Sequence, residues 1–276
     1  MDTALLAVFA PAALAALLTL CLTPIARLAA VRLGAIEEPD PRRIHRPPMP
    51  RLGGLAVLLA SGAVLFAGQR GMFGPFLTLG EPLASGIAIG LVPVVAISLL
   101  GDIRGVGARW KAVAHLVGAL VAVSAGVVLD HEINFLGIPL YIKLLAVPLS
   151  VLWIFGVTNA FILVDGLDGV DGMDGLSAGL ALIAAVSLGA VFLLAGEQVP
   201  ASWVFVLSGA LLGFLPFSAF SAKIFLGDTG AASIGFVLAC FALRSGSTFY
   251  AGLAALLPLL VLVTLSMRSR LYDEDH

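Results

Sequence analysis

Charge is scarce in this sequence. Only 12% of its 276 residues are Asp, Glu, Lys or Arg, about half the ~25% of a soluble domain. That excludes an ordinary water-soluble domain, and no segment between the apolar runs is long enough to form one. Cysteine is nearly absent. Cys21 and Cys240 both fall in apolar runs, so no disulfide framework can form and both thiols are expected to be buried. The net charge of −2 singles out no partner, and no nucleic-acid partner is expected. The N-terminus begins Met-Asp with no basic region, so the first apolar run does not read as a cleaved signal.

What replaces charge is hydrophobicity: 60% of residues are hydrophobic and the mean hydropathy is +1.09. Apolar runs near membrane-spanning length cover residues 4–29, 52–69, 83–100, 111–129, 143–161, 176–195, 201–217, 229–244 and 247–267. The expected fold class is an all-α polytopic membrane protein of about nine transmembrane helices, with residues 1–276 forming a single integral membrane domain embedded in a lipid bilayer. Residues 130–143 alternate around Gly137-Ile138-Pro139 and predict a small β-hairpin on the outer side.

Basic residues orient such a chain, because cytoplasmic loops carry the excess of Lys and Arg. With the N-terminus outside, the inward segments hold Arg27, Arg32, Arg42, Arg43, Arg46, Arg51, Arg104, Arg109, Lys111, Lys223, Arg268 and Arg270. The outward ones hold only Arg70, Lys143 and Arg244. Twelve against three accounts for all 15 basic residues. A multi-pass protein of the plasma (inner) membrane, with its C-terminus cytoplasmic, is expected. Twelve of the 17 acidic residues also fall on the inner side. Both signs of charge thus converge there, as a phosphate-rich substrate with a divalent cation would require.

Residues 159–179, NAFILVDGLDGVDGMDGLSAG, hold four aspartates at every third position, each followed by glycine, and no Lys or Arg. Four carboxylates so close repel one another unless a cation or protonation relieves them. The cluster is therefore either a metal–phosphate site or a solvated loop. The glycines favour a loop with tight turns over a continuous helix. Oxygen-only ligands point to Mg2+ or Mn2+ rather than zinc.

Three other inner segments stand beside it. Residues 34–57 contain RRIHRPPMPRLGG, whose prolines forbid a continuous helix and hold Arg42, Arg43, His45, Arg46 and Arg51 near the membrane face. The same charges also suit a loop that only sets topology. Residues 98–116 place Asp102 at the end of one apolar run, with Lys111 and His115 on one helix face at the start of the next. A lone acid at a helix end can equally be merely solvated. Residues 214–236 contain AKIFLGDTG, whose Asp228 lies in a Gly-Asp-Thr-Gly turn between two runs. That tetrapeptide carries little information by itself.

In order and spacing, RRIHRPPMPRLGG, GDIRG followed by Lys111, NAF…DGLDG and AKIFLGDTG resemble the polyprenyl-phosphate N-acetylhexosamine-1-phosphate transferases over roughly residues 4–267. The PRLGG loop is similar to the GlcNAc-1-phosphate branch, in which UDP-GlcNAc meets undecaprenyl or decaprenyl phosphate. The resemblance implies that a polyprenyl phosphate attacks the β-phosphate of a UDP-N-acetylhexosamine, giving a polyprenyl-diphosphate-sugar and UMP, with Mg2+ (or Mn2+) as cofactor. It implies catalytic roles for Asp102, Asp165, Asp168 and Lys111, and metal binding by Asp228, Asp165 and Asp168. Substrate binding would fall to Arg43, His45, Arg46, Arg51, Asn159, Asp171 and Asp174. A homodimer is compatible with it.

Several positions depart from the family pattern. Gly101 stands for the first Asp of an Asp-Asp pair, Ile162 for a second Asn, Ser218 for an Asn, Ala231 for a Ser, and Glu37 for an Asp. Two extra Asp-Gly units leave two registers open for the aspartate run. The family's histidine-rich inner loop and last spans have no counterpart before His276. These departures support the alternative of an impaired or non-catalytic homologue that binds polyprenyl phosphate or a cell-envelope partner. A transporter is the weaker alternative, since the acids gather at one face instead of mid-depth.

Overall fold

The computed structural model describes residues 3–37, 48–78, 80–129, 132–135, 138–141, 144–168, 174–219 and 221–244. Arg42, Arg43, His45, Arg46, Asp171 and the apolar run at 247–267 lie outside the described residues. The described chain runs α1 (Thr3–Leu33), β1 (Ile36–Glu37), β2 (Met49–Pro50), α2 (Gly53–Gln69), a 3-10 turn (Gly74–Leu77), α3 (Glu81–Arg104) and α4 (Ala108–Ser124). It continues with β3 (Glu132–Phe135), β4 (Ile138–Tyr141), α5 (Ala146–Asp165), α6 (Leu176–Leu194), α7 (Gln198–Ser218) and α8 (Gly227–Arg244). These helices fall on the first eight apolar runs. Among the described residues, five stretches are long and apolar enough to cross a membrane: Val8–Leu33, Leu83–Arg104, Ala146–Asp165, Leu176–Leu194 and Gln198–Ser218. The chain is a helical, multi-pass membrane protein.

α8 is the axis of the bundle. It packs against α2, α3 and α5, and nearly every described residue along it is buried. α7 packs between α1 and α6. Helices in lipid gain nothing from hiding apolar surface from apolar tails, so close backbone approach has to hold them together. Gly209 and Gly213, one turn apart on α7, supply it. A Cβ at either would run into the carbonyl of Ala12 or Ala16 on α1. Gly54 of α2 meets Gly230 of α8 in the same way. Outward faces carry exposed Leu17, Ile25, Leu152 and Leu163, as a lipid-facing surface should. Cys21 lies on such a face and is exposed, contrary to expectation, whereas Cys240 is buried.

Hydroxyls inside the bundle are satisfied locally. Thr19, Thr23, Ser61, Ser150, Thr158, Ser208 and Ser233 each donate to the carbonyl four residues earlier. A polar group so paired costs little in a medium without water.

Two short ladders connect helices. β3 and β4 pair antiparallel with Glu132 opposite Tyr141, forming the hairpin between α4 and α5. β1 and β2 pair with Ile36 opposite Pro50, which the sequence did not announce. Beyond β2 the chain docks on the segment preceding α8. Phe225 N–H donates to the Pro50 carbonyl (2.9 Å), Gly53 N–H to Phe225 (3.0 Å) and Gly54 N–H to Leu226 (2.7 Å). PRLGG is therefore a clasp that fixes Arg51 beside the start of α8.

Candidate functional site

Four regions distant in sequence meet at one end of the bundle: residues 35–37 with 48–54, the α3–α4 junction, residues 165–168 with 174–177, and the start of α8. The start of α8 organises them. Gly227 has φ +76°, and a Cβ there would strike the Arg51 carbonyl oxygen, so only glycine fits. Asp228 and Thr229 follow in the first helical turn. Asp102, reaching across from α3, accepts Asp228 N–H at 3.0 Å on Oδ1, and Thr229 N–H at 2.9 Å and Thr229 Oγ1–H at 2.5 Å on Oδ2. A carboxylate on otherwise unpaired amides, at the positive end of a helix dipole, is a strong cap. Asp102 thus caps α8 rather than the helix that carries it.

Asp228 is left with two cations. Its Oδ1 is 3.4 Å from Arg51 Nη2, and its Oδ2 is ion-paired and hydrogen-bonded with Lys111 Nζ from α4. Arg51 also reaches Glu37 (3.7 Å) and Asp165 (3.9 Å). Burial works against its charge, but Glu37, Asp165, Asp228 and Asp102 outweigh that and raise its pKa above the ordinary guanidinium value. Its buried Nε is a donor with no hydrogen-bond partner among the described residues.

A second carboxylate pair lies beside the first. Asp165 is the last residue of α5 and Asp168 sits in the following turn; both are buried. The Ser177 hydroxyl bridges them, at 3.0 Å from Asp165 Oδ1 and 2.7 Å from Asp168 Oδ2. Leu176 N–H at the start of α6 donates to Asp168 Oδ1 (2.7 Å). Burial pushes the Asp168 carboxyl up to about 6, with the Ser177 and Leu176 hydrogen bonds opposing it. Asp174 serves elsewhere, since its Oδ2 accepts the backbone N–H groups of Ser221 (3.1 Å) and Ala222 (3.0 Å) and ties the aspartate run to the α7–α8 connection. Asn159 lies one layer deeper. Its Oδ1 is 3.2 Å from His115 Nδ1, whose Nε2 is 3.3 Å from Ser98 Oγ, while its Nδ2 donates to Phe155 O (2.7 Å). That chain cross-links α3, α4 and α5 below Lys111.

The structure therefore brings Arg51, Asp102, Lys111, Asp165, Asp168 and Asp228 together, and sets Asp174 and Asn159 at the periphery. Sequence reasoning had not assigned Ser177, Thr229 or His115 a role. Ser177 and Thr229 are adjacent to the aspartate run and inside the GDTG turn, so proximity to the acids was the available signal. Among the described residues no three His, Cys, Asp or Glu side chains form a metal-binding group. The donor set does fit an ion that shares its coordination with substrate phosphates, because Mg2+ commonly takes only one or two protein carboxylates.

Comparison with known proteins identifies relatives of this chain. The chain is 32% identical over 228 residues to the probable undecaprenyl-phosphate N-acetylglucosaminyl 1-phosphate transferase of Bacillus subtilis, covering 82% of this chain and 60% of the relative. It is 36% identical over 240 residues to the decaprenyl-phosphate N-acetylglucosaminephosphotransferase of Mycobacterium tuberculosis, covering 82% of this chain and 57% of the relative. The phospho-N-acetylmuramoyl-pentapeptide-transferase of Clostridium beijerinckii is 33% identical over 204 residues, 70% of this chain and 59% of the relative. The chain thus spans less than two thirds of the length of these relatives. The family described as glycosyl transferase family 4 matches residues 84–246, more than half of the sequence, and the chain belongs to it.

Proposed function

We propose that the chain transfers a sugar-1-phosphate, GlcNAc-1-phosphate in the first instance, from a UDP-N-acetylhexosamine to a polyprenyl phosphate at the cytoplasmic face of the plasma membrane, releasing UMP. The observation that carries this reading is the meeting of Arg51 and Lys111 on Asp228 and Asp165 at the start of α8. Two cations suit two phosphate-bearing substrates, and Arg51 Nε, unpaired among the described residues, is a donor for a phosphate oxygen. The reading includes nine spans, an outer β3–β4 hairpin, the N-terminus outside and the C-terminus inside. It is compatible with a homodimer.

Phosphoryl transfer asks for positioning and charge balance more than for a strong base. A phosphate monoester has its second pKa near 6 and is largely dianionic at neutral pH, so the nucleophile needs little help in losing a proton. In this reading Arg51 and Lys111 hold the phosphates, and Asp102 keeps the first turn of α8 and hence Asp228 in place. Ser177 keeps the buried Asp165 and Asp168 together beside it. Asp228, with one or both of Asp165 and Asp168, would hold Mg2+ or Mn2+, which supplies charge neutralisation of the departing UMP.

The test is exchange of labelled UMP into UDP-GlcNAc by membranes containing this chain, with and without Mg2+. Divalent-dependent exchange supports the reading. No exchange or transfer with UDP-GlcNAc, UDP-GalNAc or UDP-MurNAc-pentapeptide refutes it in favour of a non-catalytic homologue. Cysteine labelling near residues 45 and 135 from opposite sides checks the topology.

A further inference from the structure

Gly101 and Lys111 face each other where α3 meets α4. A Cβ at position 101 would stand 2.6 Å from Lys111 Cε and 3.0 Å from its Nζ, and 3.9 Å from Asp228 Oδ2. The Lys111 stem therefore runs through the space that any side chain at 101 would claim, and it delivers its ammonium to Asp228 Oδ2. The other Asp228 oxygen faces Arg51, so the carboxylate is hemmed between two positive charges.

We propose that Lys111 is a tethered counter-cation for Asp228, given room by the absence of a side chain at Gly101, and that a divalent cation binding this carboxylate must displace it. Lys111 and such an ion compete for one oxygen. Once displaced, the ammonium is free to pair with a phosphate instead, so one lysine serves the resting site and the loaded site by exchanging anions. The lysine is well placed to exchange. Its side chain is only part-buried (19% exposed), and its four-carbon stem rotates freely, unlike the guanidinium of Arg51, which Glu37 and Asp165 also hold. This inference rests on the proposed function in taking Asp228 as the carboxylate that binds a divalent cation and phosphate as the second partner.

The experiment is Mn2+ binding to the full chain in detergent, read by electron paramagnetic resonance without any substrate. Lys111→Met removes the competing charge and should tighten Mn2+ binding about tenfold or more, since an ion pair in contact near a protein surface is worth roughly a few factors of ten. Gly101→Ala provides an independent route, because its methyl group pushes the Lys111 stem aside and should tighten binding in the same direction. Asp228→Asn in the Lys111→Met background should remove the gained binding. Size-exclusion profiles and thermal unfolding identify which variants fold, and the folded ones decide. Unchanged or weaker Mn2+ binding in the folded variants overturns the proposal, and so does a gain that survives Asp228→Asn. Tightened binding without sugar-phosphate transfer refutes the proposed reaction but not this competition. Transfer with unchanged Mn2+ binding does the reverse.

Discussion

Asp228 and the Asp165–Asp168 pair, side by side at this end of the bundle, are held in opposite ways. Asp228 faces two cations, Arg51 and Lys111. Asp165 and Asp168 are bridged by one neutral hydroxyl from Ser177, with a backbone amide completing the hold on Asp168. Among the described residues, only Arg51, at 3.9 Å from Asp165, spans both. An ion pair can trade one partner for another when an anion or cation arrives, whereas a hydroxyl and an amide fixed in the start of a helix cannot. Asp228 is thus suited to change partners during a reaction, and the Asp165–Asp168 pair to keep its shape. Asp102 belongs with the fixed group although it touches the exchangeable one, because all its described hydrogen bonds go to the first turn of α8.

The comparison predicts distinct failures. The largest concerns Asp228→Asn, which should lower transfer about a hundredfold or more while the detergent-solubilised chain keeps its unfolding temperature; UMP exchange and thermal unfolding measure the two. If stability collapses instead, Asp228 belongs with the fixed group. Next comes Asp102→Ala, which strips the cap from α8 and leaves buried amides unpaired at about 1–3 kcal/mol. It should depress the unfolding temperature more than Asp228→Asn does, and reduce transfer through loss of position. Equal stability of the two variants would erase the distinction drawn here.

Ser177→Ala tests the fixed pair directly. Two buried carboxylates lose their shared donor, so stability should fall by about 1–2 kcal/mol, with Mn2+ affinity reduced less than by Asp228→Asn. A pH comparison follows for Asp168. Burial raises its folded carboxyl to about 6, above the ~3.9 of an unfolded aspartate. Its charged form therefore costs stability at neutral pH, and the cost is relieved as pH falls through 6 towards 4. With chelator present, the chain should gain stability relative to Asp168→Asn on acidification from pH 7 to pH 5; parallel unfolding curves would contradict this. The smallest effect is Asp174→Ala, which frees the Ser221 and Ala222 amides. Hydrogen exchange there should quicken, with global stability reduced by about 1 kcal/mol.

Much of the architecture was legible because membrane helices announce themselves. Lipid demands long apolar runs, and eight of these appear as helices. The candidate acids were legible because so few charges exist in this chain that those gathered on one side had to matter. Roles were harder to read. Asp102 looked like an acid at the end of its own helix, yet it caps α8, 126 residues away in sequence. Asp174 looked equivalent to Asp165 and Asp168 in an even triplet run, yet it turns to a different loop. Ile36–Glu37 and Met49–Pro50 are too short for any periodic signal, and their pairing depends on chain return alone.

Composition and patterning by themselves determined that this chain is helical and membrane-embedded, that its charge gathers in four motifs, and which family those motifs resemble. Each of these depends on transfer between water and lipid or on local spacing, and both are written residue by residue. Tertiary structure alone decided which carboxylate meets which cation. That choice depends on helix crossings set by Gly54 against Gly230, on the docking of PRLGG along Phe225 and Leu226, and on the space that Gly101 leaves for Lys111. Charges act over a few ångströms, so partners are chosen by distances that only the packed helices create.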